Sequence, residues 1–244
     1  MHLILNAGGI AAYPEGVTAV VEHFSGCRKV ALIPYAYVGD HSEAVKFMQE
    51  LVPGIRFVGL NGVADARDVL LDADGIWVVG GNSFVLADQL HARGLIDPVR
   101  RMVEAGIPYG GSSAGAIVAG PTICTTNDMP ILTTPRSLTS FGFVPFQINP
   151  HYLDPSAMPP GFKGESRQKR IEEFQALNDV AVAGLREGSW LTVHGSQVRL
   201  QGRSSAVIFE RGKSANELSP GSDLSWLLTT TPQFGVPTVD GMIL

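Results

Sequence analysis

Residues 76–79, Ile-Trp-Val-Val, form an unbroken apolar run closed by Gly80-Gly81. A strand with no polar face must be covered on both sides, so this run requires a sheet sandwiched between other elements. Its surroundings supply them. Strands are expected over residues 2–5, 29–34, 55–60 and 107–109, and amphipathic helices over 16–24, 42–51, 64–71, 83–92 and 97–105, with Gly94 and Gly106 as helix stops. Strand–helix alternation with short connections predicts an α/β fold: a mostly parallel central sheet with helices on both faces. In such sheets ligands bind beyond the carboxyl ends of the strands. Gly80-Gly81 and Gly110-Gly111-Ser112-Ser113 both fall at strand carboxyl ends, and that convergence marks the region as a site.

The 244 residues, 45% of them hydrophobic, are enough for one sizeable core, and a single α/β domain over 1–244 is expected. The net charge of -5 comes without any basic block, so no nucleic-acid partner is expected. The two cysteines, Cys27 and Cys124, are far apart and form neither a CxxC pair nor a ligand cluster. They read as thiols in a reducing compartment. The first residues lack a basic segment followed by a long apolar one, and no apolar run reaches transmembrane length. A cytoplasmic protein without a membrane partner is the expectation.

The second half is less regular. Residues 146–149 read as a strand ending at Pro150-His151, 167–177 as a charged helix, and 180–185 as a strand followed by Arg186-Glu187-Gly188. Residues 190–193 and 197–200, separated by His194-Gly195-Ser196, read as a small hairpin near the C-terminus. From about 221 the chain is rich in Ser, Thr and Pro, a tail that wraps the surface or is loose.

Gly111-Ser112-Ser113-Ala114-Gly115 fits G-x-S-x-G between a strand and an apolar helix-like run at 116–119. A sharp strand-to-helix turn presents the serine in a strained, exposed position and admits only small neighbours. The Ala114 N–H is then a natural oxyanion donor, with the Gly81 N–H on the neighbouring strand end as a second. The motif is short, and alone it more often describes a glycine-rich turn without chemistry; the strand–turn–helix context and the second glycine turn add to it. It lacks the Gly-Lys-Ser/Thr ending of a phosphate-binding loop.

An unactivated serine needs a base within hydrogen-bond reach. Of six histidines, His2, His23, His41, His91 and His194 read as solvated positions on a strand, helices and a turn. His151 differs, because it directly ends an apolar strand. Glu187, also at a strand end, is a candidate to orient the imidazole. Asp128, in the polar loop Thr125-Thr126-Asn127-Asp128-Met129-Pro130, competes for that role, and both also read as ordinary surface acids.

Gly80-Gly81-Asn82-Ser83-Phe84, Gly111-Ser112-Ser113-Ala114-Gly115, Thr125 to Ile131, Gln147-Ile148-Asn149-Pro150-His151, Gly164-Glu165-Ser166-Arg167 and Gly184-Leu185-Arg186-Glu187-Gly188-Ser189-Trp190 together resemble the peptidase E family of aspartyl dipeptidases. The motifs keep family order from the first strand to about residue 212. The resemblance implies a fold akin to class I glutamine amidotransferases. It also implies a serine peptidase whose nucleophile is Ser113, base His151 and orienting acid Glu187, with Gly81 and Ala114 at the oxyanion positions. It implies no metal and no cofactor. Its substrates would be dipeptides with N-terminal aspartate. Two departures stand out: Val79 occupies the place of a third glycine, and the tail beyond about 221 exceeds what the family needs, which leaves a homodimer or a flap open.

An aspartyl substrate needs a cation, and Arg167 and Arg170 are the candidates, Arg167 being favoured because it closes the family-like stretch. Both also read as the solvated face of a charged helix. Asn82 and Asp128 are expected to receive the substrate's free amine. A cyanophycinase-like hydrolase of β-linked aspartyl peptides shares the nucleophile turn, and a non-catalytic binding relative would share the fold.

Overall fold

The computed structural model describes residues 1–159, 161 and 164–235. Its centre is a seven-stranded sheet, ordered β3-β2-β4-β5-β1-β8-β9. The parallel part comprises β1 (His2–Asn6), β2 (Lys29–Ile33), β3 (Arg56–Gly59), β4 (Gly75–Val78) and β5 (Tyr109–Ser112). Every residue of β4 is buried, as are the last four of β1 and of β2. Consecutive buried positions mean that both faces are covered, which the apolar run at 76–79 required. The hairpin β8 (Ser189–His194) and β9 (Gln197–Gly202) is not a separate appendage: β8 pairs antiparallel with β1 and extends the main sheet.

The helices follow the amphipathic stretches. They are α1 (Pro14–His23), α2 (Ser42–Leu51), α3 (Ala66–Leu71), α4 (Ser83–Ala92), α5 (Ile96–Glu104), the single-turn α6 (Ala114–Ile117) and α7 (Arg167–Leu177). Caps set several starts. Asn82 accepts from the Phe84 and Val85 amides at α4, and Ser166 from Lys169 at α7. Gly94 and Gly106 take φ of +62° and +102° just beyond α4 and α5, the left-handed stops expected there.

Two expectations need correction. The strand placed at 107–109 lies at Tyr109–Ser112, so it runs through its glycines. Glycine is required there: a Cβ on Gly110 would sit 2.3 Å from the Trp77 ring. The second half also holds a second, four-stranded sheet that periodicity did not reveal. Its order is β11 (Asn216–Leu218), β10 (Ala206–Phe209), β7 (Val182–Leu185), β6 (Gln147–Pro150). β6 and β7 are parallel, Asn149 opposite Gly184. Residues of both sheets join one buried cluster, among them Ile4, Val78, Ile148, Leu185 and Ile208. Of the tail, Leu224 and Leu227 are fully buried and Gln233 pairs with Asp179, so residues 221–235 lie along the fold; the remainder of that expectation falls outside the described residues.

Candidate active site

The carboxyl ends of β1, β4, β5, β6 and β7 converge on one spot. β5 ends at Ser112, and Ser113 follows with φ +53° and ψ -112°. Its amide donates to Asn6 O at the end of β1, 2.9 Å away. The turn is crowded: a Cβ on Gly111 would lie 2.3 Å from Gly115 O, and one on Gly115 would lie 2.2 Å from Val78 O. Only glycine fits at either place, and the Tyr109 hydroxyl braces the turn by donating to Gly115 O. The helix that follows is a single turn at Ala114–Ile117 rather than the run expected at 116–119. Its macrodipole is therefore slight, and any oxyanion stabilisation falls to individual N–H groups. Ala114 N is among the first amides of that turn, which have no intrahelical acceptor.

β6 ends at Pro150, and His151 adopts φ +55°. Ser113 and His151 are the two non-glycine residues with positive φ among the described residues. Such a backbone costs about 1–3 kcal/mol and persists only where surrounding contacts enforce it. The conformation places His151 Nε2 2.8 Å from Ser113 Oγ. Nδ1 of the same ring meets Glu187 Oε1, at the turn after β7. Glu187, not Asp128, therefore faces the imidazole. Asp128 is tied elsewhere: its Oδ2 accepts from the Ser83 amide and hydroxyl, each at 2.7 Å, and from Thr126 Oγ1 at 3.1 Å.

The second glycine turn lies against the nucleophile, since a Cβ on Gly80 would be 3.0 Å from Ser113 Cβ. Gly81 has φ +139°, and a Cβ there would meet Ala36 O at 2.5 Å. The amides on either side are engaged, Val79 N with Ile33 O and Asn82 N with Ala36 O, which fixes the turn to the end of β2. The valine at 79, where a third glycine was expected, is buried in the core and leaves Gly80-Gly81 in place.

The remaining candidates separate. Arg167 opens α7 half-buried, its Nη1 3.5 Å from Pro150 O. Burial lowers its pKa from the ordinary guanidinium value, Arg170 adds to that, and Asp128 and Glu187 oppose it; it stays a cation at neutral pH. Arg170 is turned outward beside Glu165, at 3.6 Å, and exposed. Asn82 is committed: its carbonyl caps α4 and its amide donates to Met129 O. Asp128 Oδ1 accepts no hydrogen bond among the described residues.

Several site residues escaped the sequence reading. Gly8, beyond the end of β1, packs on the histidine: a Cβ there would sit 2.3 Å from His151 Cε1 and 3.0 Å from Glu187 Oε2. The Gly8 amide donates to Asn6 Oδ1 at 3.0 Å. The readable signal was a third glycine pair after an apolar strand. Arg186, next to Glu187, grips Asp154 with Nε and Nη2 at 2.9 and 2.7 Å, and its Nη1 donates to Ser205 and Glu217. Asp154 belongs to the loop that begins at His151, so this fork joins the segments carrying His151 and Glu187. His23 also departs from expectation. It is buried, Nε2 3.0 Å from Tyr109 O, with its ring against His2, and burial pushes its pKa down to about 3. Among the described residues, no group of three or more His, Cys, Asp or Glu is placed to hold a metal ion, and no helix is long and apolar enough to cross a membrane.

A hydroxyl bonded to an imidazole whose far nitrogen meets a carboxylate, beside backbone donors on a strained turn, is the arrangement used by acyl-transfer hydrolases. The chain belongs to peptidase family S51, whose model matches residues 3–201. Peptidase E of Streptomyces coelicolor is 44% identical over 213 residues, covering 86% of each chain. A Drosophila melanogaster protein named "Probable alpha-aspartyl dipeptidase" is 39% identical over 227 residues, covering 92% of this chain and 93% of its own. The crystal structure of a peptidase from an acI-B1 Actinobacterium shares the fold, with TM-score 0.65 at 20% identity over 91% of this chain and 96% of that one.

Proposed function

We propose that the protein is a serine dipeptidase that hydrolyses dipeptides beginning with aspartate. The observation that carries this reading is the 2.8 Å contact between His151 Nε2 and Ser113 Oγ, with Glu187 on the opposite ring nitrogen. Ser113 Oγ attacks the scissile carbonyl while Nε2 takes its proton. Glu187 holds the Nδ1–H tautomer and stabilises the imidazolium. The Gly81 and Ala114 amides receive the oxyanion, each worth about 3–4 kcal/mol in the transition state. His151 then protonates the leaving amine, and water, activated by the same ring, releases aspartate from the acyl-enzyme.

Arg167 binds the aspartyl carboxylate, supported by its half-buried position beside Pro150 O. Asp128 Oδ1 receives the free α-amine, which restricts cleavage to the first peptide bond. The name of the Drosophila relative, alpha-aspartyl dipeptidase, supports the same substrate class. We place the protein in the cytoplasm, a reading supported by the two free thiols.

The test is a dipeptide panel varied in its first residue, α- and β-linked aspartyl compounds included, on wild type and Ser113→Ala. Wild type is expected to cleave Asp-Leu and to be labelled by a fluorophosphonate. Ser113→Ala should keep the fold and lose turnover by at least roughly a thousandfold. A folded, active Ser113→Ala protein would overturn the assignment. Preference for β-linked substrates would move it to the cyanophycinase-like reading.

A further inference from the structure

A cavity of about 250 Å³ opens beside the nucleophile turn. Ile10, Phe47, Met48, Trp77 and Val79 form its walls, and among the described residues none that lines it carries a charge. Its rim belongs to the catalytic turns. Gly80 touches Ser113, Ser112 precedes it, and Gly9 follows the glycine that packs on His151. A Cβ on Gly9 would lie 3.3 Å from Glu187 Oε2. The cavity thus lies between the Ser113 turn and the loop covering the His151–Glu187 pair.

A dipeptide has two side chains to place. The acidic one is excluded here, because an unpaired carboxylate in an uncharged apolar cavity bears a large desolvation cost. Arg167 offers it a partner instead. The cavity is also smaller than the ~300–1,000 Å³ pockets that enclose whole drug-sized ligands, and suits one side chain. Phe47 stands half-exposed at its edge while Met48, Trp77, Val79 and Ile10 are buried, so the walls are fixed and only the entrance is free to adjust.

We propose that this cavity receives the side chain of the leaving residue, so that the enzyme favours Asp-Leu, Asp-Met and Asp-Phe over Asp-Ala and over dipeptides ending in a charged residue. The inference rests on the Ser113–His151 reading. Its test compares kcat/KM for Asp-Leu, Asp-Met, Asp-Ala and Asp-Lys on wild type, on Ala44→Phe, which fills the cavity from α2, and on Phe47→Ala, a change at the exposed rim that spares the fold. Wild type should prefer Asp-Leu to Asp-Ala by about tenfold or more. Ala44→Phe should lower Asp-Leu more than Asp-Ala and collapse that ratio toward one, and Phe47→Ala should reduce it. A flat leaving-residue profile in a wild type that a fluorophosphonate still labels would overturn this inference alone, as would an unchanged ratio in both variants. A wild type that neither labels nor cleaves any Asp-Xaa dipeptide would overturn the Ser113 reading and this inference with it.

Discussion

Replacing Gly8 by alanine should disable the site while leaving Ser113, His151 and Glu187 all present. The new methyl carbon would stand 2.3 Å from His151 Cε1 and 2.9 Å from Nδ1, whereas ordinary contact begins at about 3.4 Å. The ring must therefore retreat by roughly 1 Å, which carries Nε2 from 2.8 Å to beyond hydrogen-bond reach of Ser113 Oγ. A misplacement of that size costs about a hundredfold in kcat. Gly8 also has φ +154°, so an alanine there adds backbone strain of about 1–3 kcal/mol and lowers Tm. Gly106→Ala is the matched control. It sits at φ +102° with nothing within 4 Å of the added carbon, so it should lose stability and keep its turnover. Steady-state kinetics on Asp-Leu, below the melting transition of both variants, separate the two effects. A folded Gly8→Ala protein with kcat within about threefold of wild type would refute the claim that this glycine sets the histidine's position.

Other consequences are open to measurement. Arg167→Met should lower kcat/KM for Asp-Leu by about 10–100-fold and narrow the gap to Asn-Leu, since a hydrogen bond to a charged group contributes about 1.5–3 kcal/mol; unchanged Asp-Leu kinetics would remove Arg167 from the specificity site. Arg186→Met should lower kcat with KM little changed, and because Asp154 and Glu217 are part-exposed the stability cost should stay near 1–2 kcal/mol; a variant with wild-type kcat would show that the fork to Asp154 does not hold the catalytic loops in register. His23 has a folded pKa near 3 against about 6.5 when unfolded, so as pH falls the unfolded state takes the proton first. Its contribution to stability therefore declines from about pH 6.5 to 3 and levels off below, by at most about 1.4 kcal/mol per pH unit. Urea midpoints at pH 7 and 4.5 should fall less in His23→Gln than in wild type; parallel losses would mean that His23 is not held neutral.

Much of this was readable in the chain itself. Helices α2, α4 and α7 lie at the residues expected of them, 42–51, 83–92 and 167–177, because a local signal decides a local structure. The nucleophile turn was legible for the same reason: crowding demands glycine on both sides of Ser113, and the demand is written in consecutive residues. His151 stood out because a histidine ending an apolar strand has little other reason to be there. What stayed hidden depends on distant partners. Arg186 reads as a surface charge until Asp154, Ser205 and Glu217 are brought beside it. His23 was expected in solvent because a polar residue on an amphipathic helix belongs there, yet Tyr109 O offers it a buried partner. β11 is three residues long and largely exposed, so it carries no alternation to read, and the apolar run of β10 acquires its meaning only beside β7. The residues alone left Glu187 and Asp128 in competition; the resemblance favoured Glu187, and the contact with His151 Nδ1 decides it.

The left-handed backbone at Ser113 and His151 has a practical corollary for anyone engineering this protein. Glycine would relax either position, so Ser113→Gly and His151→Gly should raise the melting temperature while abolishing turnover. A library sorted by heat resistance alone would then enrich inert variants, and directed evolution of this scaffold has to select on product formation from its first round.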